Sequence, residues 1–476
     1  MPTLVSLLVL SLLVATLAAS GEDESGSLSF KRNLNTGSSG VTGFPHRFQP
    51  FCNYACHGND CPDPSQFDFV ECNQTQTGNH CSLKGCQKWT QGVFPFLHPV
   101  KEQHTNTDAT DSNSKDWPIW TSKETGKRYY VINGGAPQLA NLTLHLETLH
   151  NTIDQFIPNK NYGGNLVLDF EPWSPIWEQN MQSIAGFHSK VTQEYSLQQM
   201  QQAHPTWSHE TVQHKTVTIF THAAIQFMVQ TLQTLRLLRP YARIGFYGFP
   251  GNHYGHCDDN NERCGYSHPH WGPILRAQND RIQLLYQTSS ALFPSVYLSS
   301  NLHNQERYDV WRVYNQIMTK DTVTEAIRLV VTQTTRPSSQ IIPIIPFFWA
   351  YYHNGTTLLL PDDVTMVVDT IYRPPWATAV IQWGNTPAHW QNTIGGPIFH
   401  RKVQQVETCA RQYCNDRGWC LAFNHATKDE NTADTGLAGQ RRPNCICDPG
   451  YGGSDCSQTT VEAEASIRAL EYSTVQ

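Results

Sequence analysis

After its first twenty residues the 476-residue chain has no hydrophobic run of membrane length, and a spanning helix needs roughly 20 consecutive apolar residues. It has no basic run either: 33 Lys plus Arg stand against 40 Asp plus Glu, a formal net charge of −7. A nucleic-acid partner calls for a clustered basic surface, so that class is set aside. The C-terminal EASIRALEYSTVQ is too polar for a lipid-anchor signal, and no membrane anchor is expected. No cysteine lies between Cys264 and Cys409, so the long middle of the chain must be held by a packed core rather than by bridges of its own.

What is present begins with MPTLVSLLVLSLLVATLAAS, an apolar core of about a dozen residues ending in Ala18, Ala19 and Ser20 ahead of an acidic stretch. Residues 1–20 are therefore expected to be a signal peptide and the protein to be secreted. Residues 21–45, rich in Gly, Ser and Asn without periodicity, are expected to be a disordered segment or a propeptide. Lys31-Arg32 within them is read as a charged pair. Fourteen cysteines in an exported chain suggest disulfides. They fall into even-numbered groups: Cys52, Cys56, Cys61, Cys72, Cys81 and Cys86; Cys257 and Cys264; and Cys409, Cys414, Cys420, Cys445, Cys447 and Cys456. Bridging within groups is expected. Sequons at Asn73, Asn141 and Asn354 fit the same compartment. The 21 His are read as scattered solvent residues, although in acid they would favour a polyanion.

After a polar surface loop at 104–116, helical and strand-like segments alternate. Leu139, Leu142, Leu146, Leu149, Ile153 and Phe156 recur every three or four residues behind Pro137, the pattern of an amphipathic helix. Then follow the strand NLVLDF, a helix carrying Ile225, Met228, Val229, Leu232 and Leu235, and the strand RIGFYGF (243–249). PSVYL (294–298), a helix near 308–333, QIIPIIPFFW (340–349), a helix near 361–372 and TAVIQW (378–383) complete the series. Strands apolar on both faces and separated by helices indicate a parallel sheet covered by helices, and their number favours a (β/α) barrel. In such barrels the site gathers at the C-terminal strand ends, which here carry Asp169, Glu171, Tyr247, Tyr297 and Trp383.

Asp169 and Glu171 are two residues apart, so strand alternation puts both on one face with Phe170 on the other. Two carboxyls so close do not both ionise freely, and the one that keeps its proton is a general acid of the kind that cleaves a glycosidic bond. Glu171, at the outer end, is assigned as the acid and Asp169 as its orienting partner. Asp169 is badly placed to attack the far face of a sugar, so the substrate's own acetamido carbonyl is the expected nucleophile. Tyr247 and Trp383 would hold that acetamide.

The segments NGGAPQLANLTLHLE, LVLDFEPWSPIW, LRPYARIGFYGFPGN, RAQNDRIQLLYQTSSALFPSVYL and AVIQWG, in this order over roughly residues 45–400, resemble the animal hyaluronidases, glycoside hydrolase family 56. Family 18 chitinases share the D-x-E ending but carry a further acid where this chain has Val167. The resemblance implies a distorted (β/α) TIM-like barrel that hydrolyses β-1,4 bonds of hyaluronan, and often chondroitin, with retention and without a metal or other cofactor. It implies Glu171 as proton donor, Asp169 as its partner, and Tyr247, Tyr297 and Trp383 around the acetamide. It also implies a Cys257–Cys264 disulfide. The late cysteines, C-x4-C-x5-C-x24-C-x-C-x8-C, resemble an EGF-like module, which implies Cys409–Cys420, Cys414–Cys445 and Cys447–Cys456.

The expected division is a signal peptide (1–20), a segment at 21–45, a barrel (46–402) with a Cys-rich part at 52–86, an EGF-like module (405–458) and a polar tail (459–476), acting as a monomer on a glycosaminoglycan polymer. The chain departs from its relatives at Phe170 (Trp in vertebrate enzymes), Ser174 and Thr322 (Arg in many relatives) and Phe347 (a substrate-facing Tyr). Fewer groove cations weaken attraction to a polyanion. The alternative reading is an inactive glycan-binding, lectin-like protein; another is an adhesion protein working through its EGF-like module. A binder, however, needs no proton donor.

Overall fold

The structure, a computed structural model, describes short strands between 49 and 102 and, from 118 to 459, all residues except 125, 182–188, 252–264, 300–307, 333–341, 353–355, 384–387, 421–444 and 449. The signal and 21–45 segments, the 104–116 loop, Cys257, Cys264, Asn354 and residues 460–476 lie outside the described residues, as do the side chains of Asn73 and of the early cysteines.

Six parallel strands organise the chain: β1 (Gln49–Cys52), β2 (Thr90–Gly92), β3 (Asn165–Leu168), β4 (Arg243–Phe246), β5 (Phe347–Trp349) and β6 (Ala379–Trp383). β2 pairs with β3 and β3 with β4; β5 pairs with β6 and β6 with β1, all parallel. The 292–295 segment joins the two sets through parallel bridges Tyr247↔Phe293, Leu292↔Ile344 and Ser295↔Phe347. The spatial order is therefore β2, β3, β4, the 292–295 segment, β5, β6, β1. This is the order of a (β/α) barrel, with helices between successive strands from β2 onward. Among the described residues no ladder joins β1 to β2.

Helices α1 (Leu142–Phe156), α2 (Ser189–Ala203), α3 (His209–Leu238), α4 (Trp271–Arg281), α5 (Tyr308–Val331), α6 (Pro361–Ile371) and α7 (Gly396–Tyr413) cover the strands. The expected continuous helix behind Pro137 is split. Pro137–Leu139 form a separate 3-10 turn, and Asn141 caps α1 by accepting from Leu144 N at 3.0 Å, the end-capping task for which Asn is preferred. Leu139 is accordingly exposed, whereas Leu149 and Ile153 are buried in the core. Two proline-interrupted strands are also shorter than expected. PSVYL makes only isolated bridges, and QIIPIIPFFW is regular only over Phe347–Trp349, because Pro294, Pro343 and Pro346 have no N–H to give to a ladder.

Alternation along the strands divides the interior in two. Leu166, Leu168 and Phe170, Ile244 and Phe246, Phe348, and Val380 face the helices in one large cluster. Val167, Ala291, Phe293, Ile345, Phe347, Ala379 and Ile381 form a second cluster on the opposite strand faces, with Tyr247, Tyr297 and Trp383 packed against it. Gly245 belongs to this inner face, and a Cβ there would meet Ala291 O at 2.2 Å, so β4 and the next segment approach as closely as only glycine allows.

The ends of α1 and α3 are fastened by Arg239, which is fully buried. Its Nε donates to Ile157 O at 2.8 Å and its Nη2 to Asp154 at 2.7 Å. Farther along the chain, α7 runs unbroken from the barrel through 402–405 to Cys409 and Tyr413. Phe399 on it packs on Phe348 (5.7 Å between rings), Lys402 pairs with Asp369 at 2.9 Å above the Tyr372 ring, and Tyr372 donates its hydroxyl to Cys420 O at 3.2 Å. Beyond the helix, Cys409–Cys420, Cys414–Cys445 and Cys447–Cys456 are bonded around two small antiparallel ladders, Gly418–Cys420 with Cys445–Cys447 and Tyr451–Gly452 with Gln458–Thr459.

His145 on α1 is 2% exposed, bonded through Nε2 to Thr231 at 2.9 Å and stacked on Phe227 at 4.1 Å. Burial lowers its pKa to about 4. Between about pH 6.5 and pH 4 the unfolded chain therefore binds a proton that the folded chain refuses, so stability falls as pH falls through that window. The His145→Gln variant is expected to lose less stability on acidification from pH 7 to pH 4. The difference should approach about 3 kcal/mol at most, since each tenfold change in proton affinity is worth about 1.4 kcal/mol. Denaturant melts at both pH values check this; equal losses in the two proteins would rule it out.

Candidate active site

β3 ends at Leu168, and Asp169, Phe170 and Glu171 follow it directly, outside the regular ladder. Phe170 keeps the helix-facing side of Leu166 and Leu168. Phe170 is buried against Trp173 (4.7 Å) and Phe227 of α3 (5.8 Å), on the helix side, so the neighbouring acids turn to the side of Val167 and the inner cluster. Tyr247 is the next residue after β4; its N–H donates to Leu168 O at 2.9 Å, which fixes it beside the acids. Tyr297 and Trp383, each half-buried, end the 292–295 segment and β6 on the same inner face.

The four groups interact electrically. Asp169 is half-buried. Glu171 is exposed as a residue, while the protein around its carboxyl raises its pKa to about 8, desolvation acting first and the Asp169 charge second. That exposure limits the size of the shift and leaves its direction alone. Desolvation raises Tyr247 to about 12, and both acids push the same way. Tyr297 is raised well above the ordinary tyrosine value, chiefly by desolvation. The Tyr297 hydroxyl bonds to that of Tyr247, which in turn donates to Ser295 Oγ at 3.3 Å. Both phenols are thus neutral, polar and aimed by a chain of hydroxyls, and Phe347 backs them with its ring 5.2 Å from that of Tyr247.

Three departures acquire a place. Phe347 is 2% exposed, so it is packing beneath the tyrosines. Ser174 shapes the turn after the acids: its Oγ donates to Gln179 Oε1 at 3.1 Å and accepts from Ile176 N at 3.2 Å. Thr322, matched to a groove Arg, lies inside α5 at 0% exposure and lines no groove. Ser295 was missed in the sequence, where nothing distinguishes it from other serines. Among the described residues no group of His, Cys, Asp and Glu could hold a metal ion, and no helix is long and apolar enough to cross a membrane.

Residues 116–434 match the family described as hyaluronidase, glycoside hydrolase family 56. The chain belongs to that family. Among its relatives, the Polistes annularis hyaluronidase is 29% identical over 54% of this chain and 64% of its own length, just under two thirds. Hyaluronidase-3 of Rattus norvegicus is 28% identical over 70% of this chain and 78% of its own. The chondroitin hydrolase of Caenorhabditis elegans is 26% identical over 68% and 66%. Bee venom hyaluronidase, solved in complex with a hyaluronic acid tetramer, is 26% identical, with 60% of this chain and 84% of that one covered and a TM-score of 0.48.

A carboxyl whose folded pKa is raised binds a proton that the unfolded chain has released between about pH 4.5 and pH 8, so it costs stability as pH rises through that window. Glu171→Gln is therefore expected to melt a few degrees above the wild type at pH 8, with the margin closing toward pH 4.5. A margin that is constant with pH would mean that Glu171 is an ordinary carboxylate.

Proposed function

We propose that this chain is a secreted endo-β-N-acetylhexosaminidase that hydrolyses β-1,4 bonds of hyaluronan, and of chondroitin, by substrate-assisted retaining catalysis. The observation that carries the reading is the placement of Glu171, its proton affinity raised by desolvation and by Asp169, close to the hydrogen-bonded hydroxyls of Tyr247 and Tyr297 at the C-terminal ends of the parallel strands. Family membership supports the substrate class, and relatives named for hyaluronan and for chondroitin hydrolysis support both polymers.

Glu171 gives its proton to the departing glycosidic oxygen as the C–O bond breaks. The substrate's acetamido carbonyl closes on the anomeric carbon from the other face, and Glu171, now a carboxylate, takes a proton from the water that opens that intermediate. Asp169 raises the proton affinity of Glu171 before the first step and orients the acetamide. Tyr247, Tyr297 and Trp383 confine the acetamido group, the phenols by hydrogen bonds and the indole by its face. In the same reading the protein is exported, on the strength of residues 1–20 and its cysteine usage, carries glycans at Asn73, Asn141 and Asn354, and bears an EGF-like module at 405–458. The module is supported by bridges that join its first cysteine to its third, second to fourth and fifth to sixth. A purely glycan-binding role would leave the raised proton affinity of Glu171 without a task.

The test is turnover of hyaluronan and of unsulfated chondroitin by the purified protein across the acid-to-neutral range. Saturated even-numbered oligosaccharides are expected. Glu171→Gln should lower kcat at least about 100-fold with the fold intact. Asp169→Asn removes the neighbouring negative charge, so the alkaline limb of the kcat/KM profile should move to lower pH. Near-wild-type turnover by Glu171→Gln, or an unmoved limb in Asp169→Asn, would overturn the assignment of these two roles.

A further inference from the structure

Beyond the Tyr247–Tyr297 pair, the inner face of β5 continues from Phe347 to Trp349. Strand parity sets Trp349 on that face, since Phe348 and Ala350 on either side belong to the helix-facing cluster. Its ring centroid lies 6.0 Å from that of Tyr297, at 38° between planes, and its backbone is the register partner of Trp383. On the outward side Tyr351 stands 5.2 Å away, held by an antiparallel bridge to Leu358. Phe347 is buried and Trp349, like Tyr297 and Trp383, is half-buried.

Core packing does not account for this residue. Trp349 belongs to neither of the two clusters that fill the barrel, yet rings on both sides fix its orientation. An indole held rigid, reached by solvent and adjoining a pocket of aromatic and hydroxyl groups is how a protein offers an apolar face to a ligand that is itself apolar on one side. A pyranose ring is such a ligand, because its axial C–H bonds make one face apolar while its hydroxyls and carboxylate project from the rim. Indole stacking also recognises an acidic sugar without a cation, which suits a chain that lacks one at Ser174.

We propose that Trp349 is a stacking residue for a second sugar of the polymer, next to the one held at Tyr247 and Tyr297. The inference rests on the glycosidase reading above and adds a specificity-determining contact outside the catalytic pair. Stacking is not screened by salt, whereas an ion pair at the surface is.

The experiment is steady-state turnover of hyaluronan by the full chain and its Trp349→Ala and Trp349→Phe variants, at about 0.05 M and about 0.5 M NaCl. Trp349→Ala is expected to raise KM about tenfold, with kcat within about twofold of the wild type. Trp349→Phe should recover most of the loss, and the ratio of variant to wild-type KM should be the same at both salt levels. An unchanged KM in Trp349→Ala, a kcat that falls with KM unchanged, or an effect that vanishes at high salt overturns the proposal. Should Trp349→Ala not fold, oxidation of indoles by N-bromosuccinimide in the Glu171→Gln chain decides. With a hyaluronan hexasaccharide bound, protection of Trp349, located by mass spectrometry, supports the inference, and undiminished oxidation overturns it. If the unmodified protein cleaves neither hyaluronan nor chondroitin, the glycosidase reading falls and this inference with it. If it cleaves them while Trp349→Ala matches the wild type, only this inference falls.

Discussion

A strand buried on both faces must share its side chains between two interiors, and successive residues have no choice in the matter. In this chain that constraint governs both the core and the chemistry. Leu166, Leu168 and Phe170 go to the helices, and Val167 goes to the inner cluster. When regular pairing stops at Leu168, the next two odd-numbered residues still follow Val167. Their carboxyls are brought together by nothing more elaborate than the pleat. Phe170 is the anchor of that arrangement, because its ring is wedged between Trp173 and Phe227 and cannot turn inward without opening a cavity in the outer core.

The same division sets the electrical character of the mouth. The inner cluster supplies an apolar floor, so groups at its upper edge lose water on one side while keeping it on the other. A carboxyl in that position holds its proton more tightly, and a phenol there stays neutral and can only share hydrogens. The raised values at Glu171, Tyr247 and Tyr297 thus have one leading cause, the loss of water around each group, to which the neighbouring acid charges add. Such an edge costs stability, and the large helix-facing core offsets it. Arg239, by contrast, is a fully buried cation whose bonds to Ile157 O, Leu238 O and Asp154 answer every part of its burial, which is what a structural charge looks like beside a functional one.

Much of this was legible in the sequence because the relevant signals are local. The continuous apolar run before Asp169 and the three-and-four spacing of Leu142, Leu146, Leu149 and Ile153 each announce their element. The outer parity of Phe170 follows from counting. Other parts left little trace. α2 is a polar helix whose sequence, SKVTQEYSLQQMQQA, shows no clear apolar stripe, since it meets the two antiparallel strands Ile119–Thr121 and Arg128–Val131 as much through the bonds of Glu194 to Ser122 and Gln198 to Trp120 as through the packing of Val191 and Tyr195. Prolines broke two strands that hydrophobicity alone extends. Thr322 shows the limit of matching positions to relatives: the letter differs from a groove cation, but the side chain is inside a helix and faces no groove. Trp349 is one of 13 tryptophans, and only its neighbours in space single it out.

The unbroken course of α7 couples the disulfide knot to the barrel by rotation as well as by position. Phe399 meets the back of β5, Lys402 reaches Asp369 beside Tyr372, and Cys409 begins the knot, all along one rigid rod. Each residue in such a rod advances the azimuth by about 100°. Inserting or deleting a single residue between Lys402 and Cys409 would swing the whole knot around the helix axis, out of line with Tyr372 and its bond to Cys420. Any exchange of this C-terminal part with that of a relative must therefore conserve helical phase, and the natural splice point lies before Ala388, where the continuous helical run begins, rather than at the composition change near 405.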